Sequence, residues 1–221
     1  WHAKWITPSD DSGSNPLFRK TFSIPSNKKI AKARAYATAA GVYELEVNGS
    51  KAGNEYLAPF CNQYTQWIQY QTYDITEFLV PGNNALGALV GEGWYRGRFG
   101  LGGGKTNIFG EKPGFLCEVI IDYEDGTSDI IITDTSWQTA PCYIVESSIY
   151  DGEKQDARMI IDGWSCAEPS QKNHAGEIVE WKQAVLLDMD MSLLTARLSI
   201  PVVIKEAIKP KEVIVPPAGE T

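Results

Sequence analysis

The sequence predicts an all-β, antiparallel fold, and three observations carry that expectation. Val42, Glu44 and Glu46 alternate with Tyr43, Leu45 and Val47, a period of two that suits a strand with one face on a core and one in water. Asn48-Gly49 follows at once, and both residue types tolerate the positive φ of a tight reversal. The third observation is composition, with 20 Gly and 12 Pro against three Met in 221 residues and 43% hydrophobic content. That balance gives many turns, few long helices and enough apolar surface for a sizeable core.

In chain order, the polar loop from Ser9 to Pro16 precedes Leu17-Phe-Arg-Lys-Thr-Phe-Ser-Ile24, a first strand bounded by prolines. Ser26-Asn-Lys-Lys29 is a turn. Ala33 to Val47 then leads through the Asn-Gly reversal into an irregular connection from Lys51 to Trp67. Ile68, Tyr70 and Thr72 alternate with Gln69, Gln71 and Tyr73, which predicts another strand. Ile75 to Leu79 suits one helical turn, and Pro81-Gly-Asn-Asn84 reads as a turn. Ala85-Leu-Gly-Ala-Leu-Val90 is a continuous apolar run, as expected of a strand buried on both faces. The glycines from Gly91 to Gly104 predict a loop without regular structure that presents aromatic and arginine side chains. Phe115–Tyr123 and Asp129–Thr133 form a hairpin around Glu124-Asp-Gly-Thr127. Glu180 to Leu187 is a last strand, and the tail from Ser199 is rich in Val, Ile, Lys and Pro. Ile200, Val202, Val203 and Ile204 are too apolar for a free linker; the segment is expected to dock on the sandwich or to pair with another copy.

Charge and cysteine usage exclude several functions. A net charge of −8 opposes a nucleic-acid partner, whose phosphates demand a basic face. No apolar run reaches the roughly 20 residues of a membrane-spanning helix. Cys61, Cys117, Cys142 and Cys166 contain no CxxC pair, and His2 and His174 are the two histidines, so a structural zinc site is not expected. Free thiols are expected, with Cys117 inside the apolar run Phe115-Leu-Cys-Glu-Val-Ile-Ile121. Trp1 opens the chain without a charged-then-apolar leader, so a signal peptide is expected to be either removed or absent.

Three motifs resolve into simpler readings. Gly100-Leu-Gly-Gly-Gly-Lys-Thr106 resembles a phosphate loop, but the required first glycine is Phe99 and no helix-forming stretch follows. Asn48-Gly-Ser50 matches a glycosylation sequon that a tight hairpin explains better. Asp151, Glu153 and Asp156 offer paired carboxylates, but one turn does not place two of them on opposite sides of a glycosidic bond. Hydrogen bonds within the turn, including from Arg158, account for them.

Val47-Asn-Gly49, Leu57-Ala-Pro59, Tyr70-Gln-Thr-Tyr-Asp74, Gly91-Glu-Gly-Trp-Tyr-Arg-Gly97, Asp125-Gly-Thr127, Thr133-Asp134 with Trp137, and Ile149-Tyr-Asp-Gly-Glu153 with Asp156-Ala-Arg158 occur in a recognisable order. Together they resemble the N-terminal region of the bacterial α-L-rhamnosidases of glycoside hydrolase family seventy-eight, over nearly the whole chain from Trp5. The resemblance implies an antiparallel β-sandwich of jelly-roll type, similar to galactose-binding modules. It also implies a fragment, since the family's catalytic (α/α)₆ barrel lies further along. The expected organisation is a sandwich over 1–188, then a linker and first strand of a following domain over 189–221.

Two functions are implied by the resemblance. One is architectural: a non-catalytic module packed on the remaining domains of its parent, which hydrolyses terminal α-L-rhamnosides. The other is calcium-assisted binding of L-rhamnose in rhamnose-containing glycans, with calcium on Asn54 and Glu55. The sugar site would lie where the Gly53–Tyr56 loop meets Gly91–Gly97, with Trp94 and Tyr95 as aromatic platforms, Arg96 as donor, and Tyr150 and Asp151 as neighbours. The family commonly carries Asp at position 54 and Pro-Gly-Trp-Thr-Asp-Tyr where this chain has Pro59-Phe-Cys-Asn-Gln-Tyr64. Both departures weaken a calcium site. The architectural reading requires no cofactor and the sugar-binding one admits calcium; a periplasmic or secreted location is preferred to a cytoplasmic one.

Overall fold

The computed structural model describes residues 1–10 and 13–212; the last part of the expected 189–221 segment, residues 213–221, lies outside them. The strands in chain order are β1 (Ile6–Thr7), β2 (Pro16–Ile24), β3 (Ile30–Ala40), β4 (Val42–Val47), β5 (Ser50–Lys51) and β6 (Glu55–Tyr56). Then come β7 (Ile68–Asp74), β8 (Gly82–Gly91), the single helical turn α1 (Gly93–Arg96), β9 (Gly114–Tyr123), β10 (Ser128–Ile132) and β11 (Gln138–Pro141). The last are β12 (Ile144–Ser148), β13 (Gly152–Gln155), β14 (Lys182–Gln183), β15 (Val185–Leu186), β16 (Leu194–Ala196) and β17 (Val202–Val203). One sheet runs β15-β1-β9-β3-β7-β16 with β10 on β9, the other β14-β11-β2-β8-β4-β5. The pairing is antiparallel except for β16 on β7, so the molecule is an antiparallel β-sandwich. No helix among the described residues is long and apolar enough to cross a membrane.

Alternation decides which side chains meet between the sheets. In β4, Tyr43, Leu45 and Val47 turn inward as their spacing predicts, and they join Phe18, Phe115, Val119 and Trp137 in one core. Ala33, Ala35, Ala37 and Ala39 supply the facing layer from β3, all of them fully buried. Small residues there leave room for the rings of Tyr43 and Phe115, whose centroids lie 5.9 Å apart.

The chain passes from β3 in one sheet to β4 in the other through one residue, Gly41. Its φ is 142°, and a Cβ there would meet the Gly91 carbonyl oxygen at 2.2 Å. Only glycine fits. The Asn48-Gly49 reversal forms as expected, with φ of 51° and 81°. Asn48 also ties three segments together: its Nδ2 donates to Phe78 O and Asn84 Oδ1, both at 2.8 Å, and its Oδ1 accepts from Ala85 N at 2.8 Å. That use of the amide agrees with the hairpin reading of the sequon.

Three local expectations are corrected. Asn83 and Asn84 belong to β8 rather than to a turn, pairing with Ser23 and Phe22. Asn84 builds the reversal with its side chain instead, donating to Val80 O and Gly82 O and accepting from Val80 N. The Gly91–Gly97 stretch is not wholly irregular, since Gly93 at φ 52° opens the turn α1. The expected strand over Glu180–Leu187 is divided at buried Ala184, where β14 leaves one sheet and β15 enters the other. The Ala184 N–H donates to Trp137 O at 2.9 Å and pins that crossover. The tail docks on the sandwich, through β16 on β7 and β17 on β6.

All four cysteines are free thiols, Cys117 and Cys142 buried, Cys61 and Cys166 half-buried. Burial pushes the Cys142 thiol up to about 12, and Cys117 is raised for the same reason. Both are inert packing residues at neutral pH.

Candidate functional site

Strand β6 is too short to carry much structure but long enough to alternate, so Glu55 and Tyr56 face opposite ways. Glu55 is 8% exposed, while Asn54 and Tyr56 lie at the surface. The Glu55 carboxylate accepts from Arg197 Nη1 at 2.5 Å through Oε2. It lies beside a buried tyrosine pair. The Tyr43 and Tyr73 hydroxyls are 3.0 Å apart, and Gln71 Oε1 and Ala37 O each lie within hydrogen-bond distance of Tyr43 Oη. Burial raises both phenols well above their ordinary range, and for Tyr73 the Glu55 charge adds to that shift.

These positions do not suit calcium. A calcium ion takes six to eight oxygens, several of them carboxylates. Here Asn54 is exposed and Glu55 turns inward, where a guanidinium already balances its charge. Among the described residues no group of three or more His, Cys, Asp or Glu is placed to hold a metal ion.

The second predicted loop divides its residues the same way. Tyr95 is buried against Tyr64, with ring centroids 4.8 Å apart, in a cluster that includes Phe109. It is a packing residue. Trp94 is half-buried and stacks at a tilt on Phe60, centroids 5.4 Å apart, a residue beyond the predicted Gly53–Tyr56 loop. Arg96 faces Glu92 at 4.0 Å one helical turn back. The partner of Asp151 is Arg98, a residue to which no local motif points: Nε donates to Oδ2 at 2.8 Å and Nη2 to Oδ1 at 2.7 Å. The same guanidinium lies 5.2 Å from the Tyr150 ring centroid, and Phe99 meets that ring edge-on at 6.1 Å. Tyr150 and Asp151 therefore clamp the base of the glycine loop. Arg98, from outside the turn, holds the Asp151 carboxyl below its ordinary range, whereas Arg158 pulls Asp156 down to about 2, as the turn-pairing reading expects.

Beside the Tyr56–Leu57 loop the outer face of β4 and β8 forms a cleft of about 360 Å³. Val42, Leu89 and Gly91 make its floor, Tyr56 and Tyr143 stand at its sides, and Glu44 and Glu153 contribute carboxylates. Lys51 organises one wall, with Nζ 2.7 Å from Glu44 Oε1 and 3.6 Å from the Tyr56 ring centroid. The sequence carries no local signal for this cleft, because its lining runs from Val42 to Glu153 and is assembled only by the β12–β13 hairpin folding over the sheet.

Known proteins share this architecture. Residues 28–206 match the family model described as the α-L-rhamnosidase N-terminal domain. The α-L-rhamnosidase of Streptomyces avermitilis is 42% identical over 154 residues, which is 70% of this chain and 15% of that protein. The α-L-rhamnosidase of Alteromonas sp. strain LOR is 33% identical over 177 residues, 75% of this chain and 19% of that protein. Among solved structures, the Aspergillus terreus α-L-rhamnosidase superposes with a TM-score of 0.78 at 36% identity, over 88% of this chain and 22% of that one. The Streptomyces avermitilis α-L-rhamnosidase in complex with L-rhamnose gives a TM-score of 0.78 at 36% identity, over 87% and 18%. The chain thus spans only about a fifth or less of the length of the curated relatives it matches. With that match covering most of its residues, the chain belongs to the α-L-rhamnosidase N-terminal domain family.

Proposed function

We propose that this sandwich is the non-catalytic N-terminal module of an α-L-rhamnosidase, and that its main role is architectural. The observation that supports this most is the use made of its loop side chains. Tyr95 is packed inward, Asp151 and Asp156 are held by Arg98 and Arg158, and Glu55 is held by Arg197. Inverting hydrolysis of a glycoside needs a free acid and a free base on opposite sides of the bond. On this reading the parent's hydrolytic step lies in sequence beyond this module, in keeping with the 15% and 19% of the curated relatives that the match covers. The chain as it stands is expected to show no turnover of aryl α-L-rhamnosides above a heat-treated control. Activity that survives repurification and disappears on Glu153→Gln would overturn the reading.

The cleft on β4 and β8 supports a second reading, recognition of a rhamnose-bearing glycan without calcium. Tyrosine rings cover the apolar face of a sugar, while carboxylates accept from vicinal hydroxyls. Calorimetric titration with L-rhamnose is expected to give the same affinity with calcium and with a chelator, unchanged by Asn54→Ala and reduced at least tenfold by Tyr143→Ala. Binding abolished by chelator or by Asn54→Ala would return the site to the calcium reading instead.

A further inference from the structure

The segment from Leu194 to Ile204 presents two contrasting faces. On its inner side Ser199, Pro201 and Val203 are half-buried. On its outer side Leu198, Ile200, Val202 and Ile204 are 75%, 90%, 39% and 65% exposed. A strand at the margin of a soluble domain ordinarily turns its polar residues outward. Here the period of two is kept but the outward positions are not polar: four consecutive ones are aliphatic.

This segment is also held firmly on its inner side. Gln69, itself 2% exposed, accepts from two successive amides of the strap through one oxygen, Leu198 N at 2.7 Å and Ser199 N at 3.0 Å. Its own Nε2 donates to Asn62 Oδ1 at 3.2 Å, which fixes that oxygen in place. Arg197 reaches back to the buried Glu55 carboxylate. Strand β16 pairs with β7 and strand β17 with β6 on either side of these contacts. The seam between the strap and residues 55–60 leaves a cavity of only about 10 Å³. A chain that was merely a flexible tether would have no use for a guanidinium set against a buried carboxylate, since that carboxylate is left uncompensated whenever the tether swings away.

We propose that residues 194–204 are a docking rail: latched to the sandwich by Arg197–Glu55 and Gln69, and covered on the outer face by the polypeptide C-terminal to it in the parent enzyme. The choice of occupant rests on the reading of the chain as one module of a longer α-L-rhamnosidase. The curated relatives are five to seven times longer than the stretch they share with it, as coverage of 15% and 20% shows, which leaves ample further sequence to bury the four aliphatic side chains. The rail fixes the register between the module and the next domain of the parent, because its inner contacts admit one placement of its outer face.

The latch is tested by amide exchange on the 221-residue chain. Arg197→Met is expected to speed exchange at Leu198 and Ser199 at least tenfold, with Ala37 and Val119 in the core strands unchanged. Identical rates at Leu198 and Ser199 would overturn the latch. If the uncompensated carboxylate unfolds the chain, Glu55→Gln with Arg197→Met removes both charges and reads the same two amides. The occupant is tested by hydroxyl-radical footprinting of the parent polypeptide against this chain. Leu198, Ile200 and Ile204 are expected to be protected several-fold in the parent only. Equal labelling in both, or protection of this chain that grows with its concentration and so reports a second copy, would overturn it. A parent that is protected there yet has no rhamnosidase turnover would instead leave the rail standing and remove the functional reading beneath it.

Discussion

Replacing Trp137 by alanine is expected to destabilise the sandwich by about 3–5 kcal/mol, the usual range for truncating a fully buried tryptophan. Trp137 has no exposed surface. Its ring packs on Phe115 with centroids 5.7 Å apart, and its Nε1 donates to Ile132 O at 2.8 Å. Truncation therefore opens a void between the sheets and leaves the half-buried Ile132 carbonyl without this donor. It also loosens the site where Ala184 ties the β14–β15 crossover to Trp137 O. In a domain of this size each kcal/mol lowers the melting temperature by about 2–4 °C, so a fall of roughly 6–20 °C is expected in a thermal melt. Trp137→Phe keeps most of the apolar volume and should lose about half as much. A shift below about 2 °C for the alanine variant would mean that this residue does not organise the core.

Gly41→Ala is the second large effect, and it acts through backbone geometry rather than volume. The added Cβ would lie 2.2 Å from the Gly91 carbonyl oxygen and 3.2 Å from Val90 Cγ1. Neither can withdraw: Gly91 is part of β8, paired with Val42, and Val90 lies in the core. The φ of 142° adds strain for any L side chain. The chain must then either break the β4–β8 pairing or move the sheet crossover, and a loss of about 3 kcal/mol or more is expected in urea unfolding. Gly126→Ala is the control. Gly126 also has positive φ, at 82°, but a Cβ there meets nothing within 4 Å, so it should cost about 1 kcal/mol. Equal losses for the two would show that conformation alone, and not the close approach to Gly91, makes glycine necessary at position 41.

The cleft beside Gly41 explains why this crossover bears on function. Val42 and Gly91 form part of its floor, and a Cβ on Gly91 would strike Ser147 Oγ at 2.8 Å. Absence of a side chain at Gly91 lets the β12–β13 hairpin lie close over the sheet. Whatever ligand or neighbouring domain occupies that surface meets walls whose spacing is set in the core.

Alternating strands, the Asn48-Gly49 reversal and the hairpin around Gly126 were legible from residue order alone, because each depends on neighbours a few positions away. The period of two in β4 states which side chains face inward, and no distant residue is needed to read it. The ordered series of short motifs pointed to the family in the same way. The sequence also flagged the apolar tail, although not which of its faces would be covered. Partnership was a different matter. Glu55 and Arg197 are separated by 142 positions, and Asp151 finds Arg98 across 53; nothing in either local pattern distinguishes an acid awaiting calcium from one already balanced by arginine. Tyr95 and Trp94 are adjacent and chemically alike, yet one packs in the core and the other on Phe60, since a single turn of helix points them apart. The sequence by itself determined antiparallel strands and most of the turns, since those depend on local conformational preference and hydrophobic period, and its ordered motifs gave the sandwich and the family by resemblance. Only the tertiary structure decided which charges are paired, which aromatics are buried and which face of the tail stays apolar and open, since those depend on where the two sheets bring distant strands together.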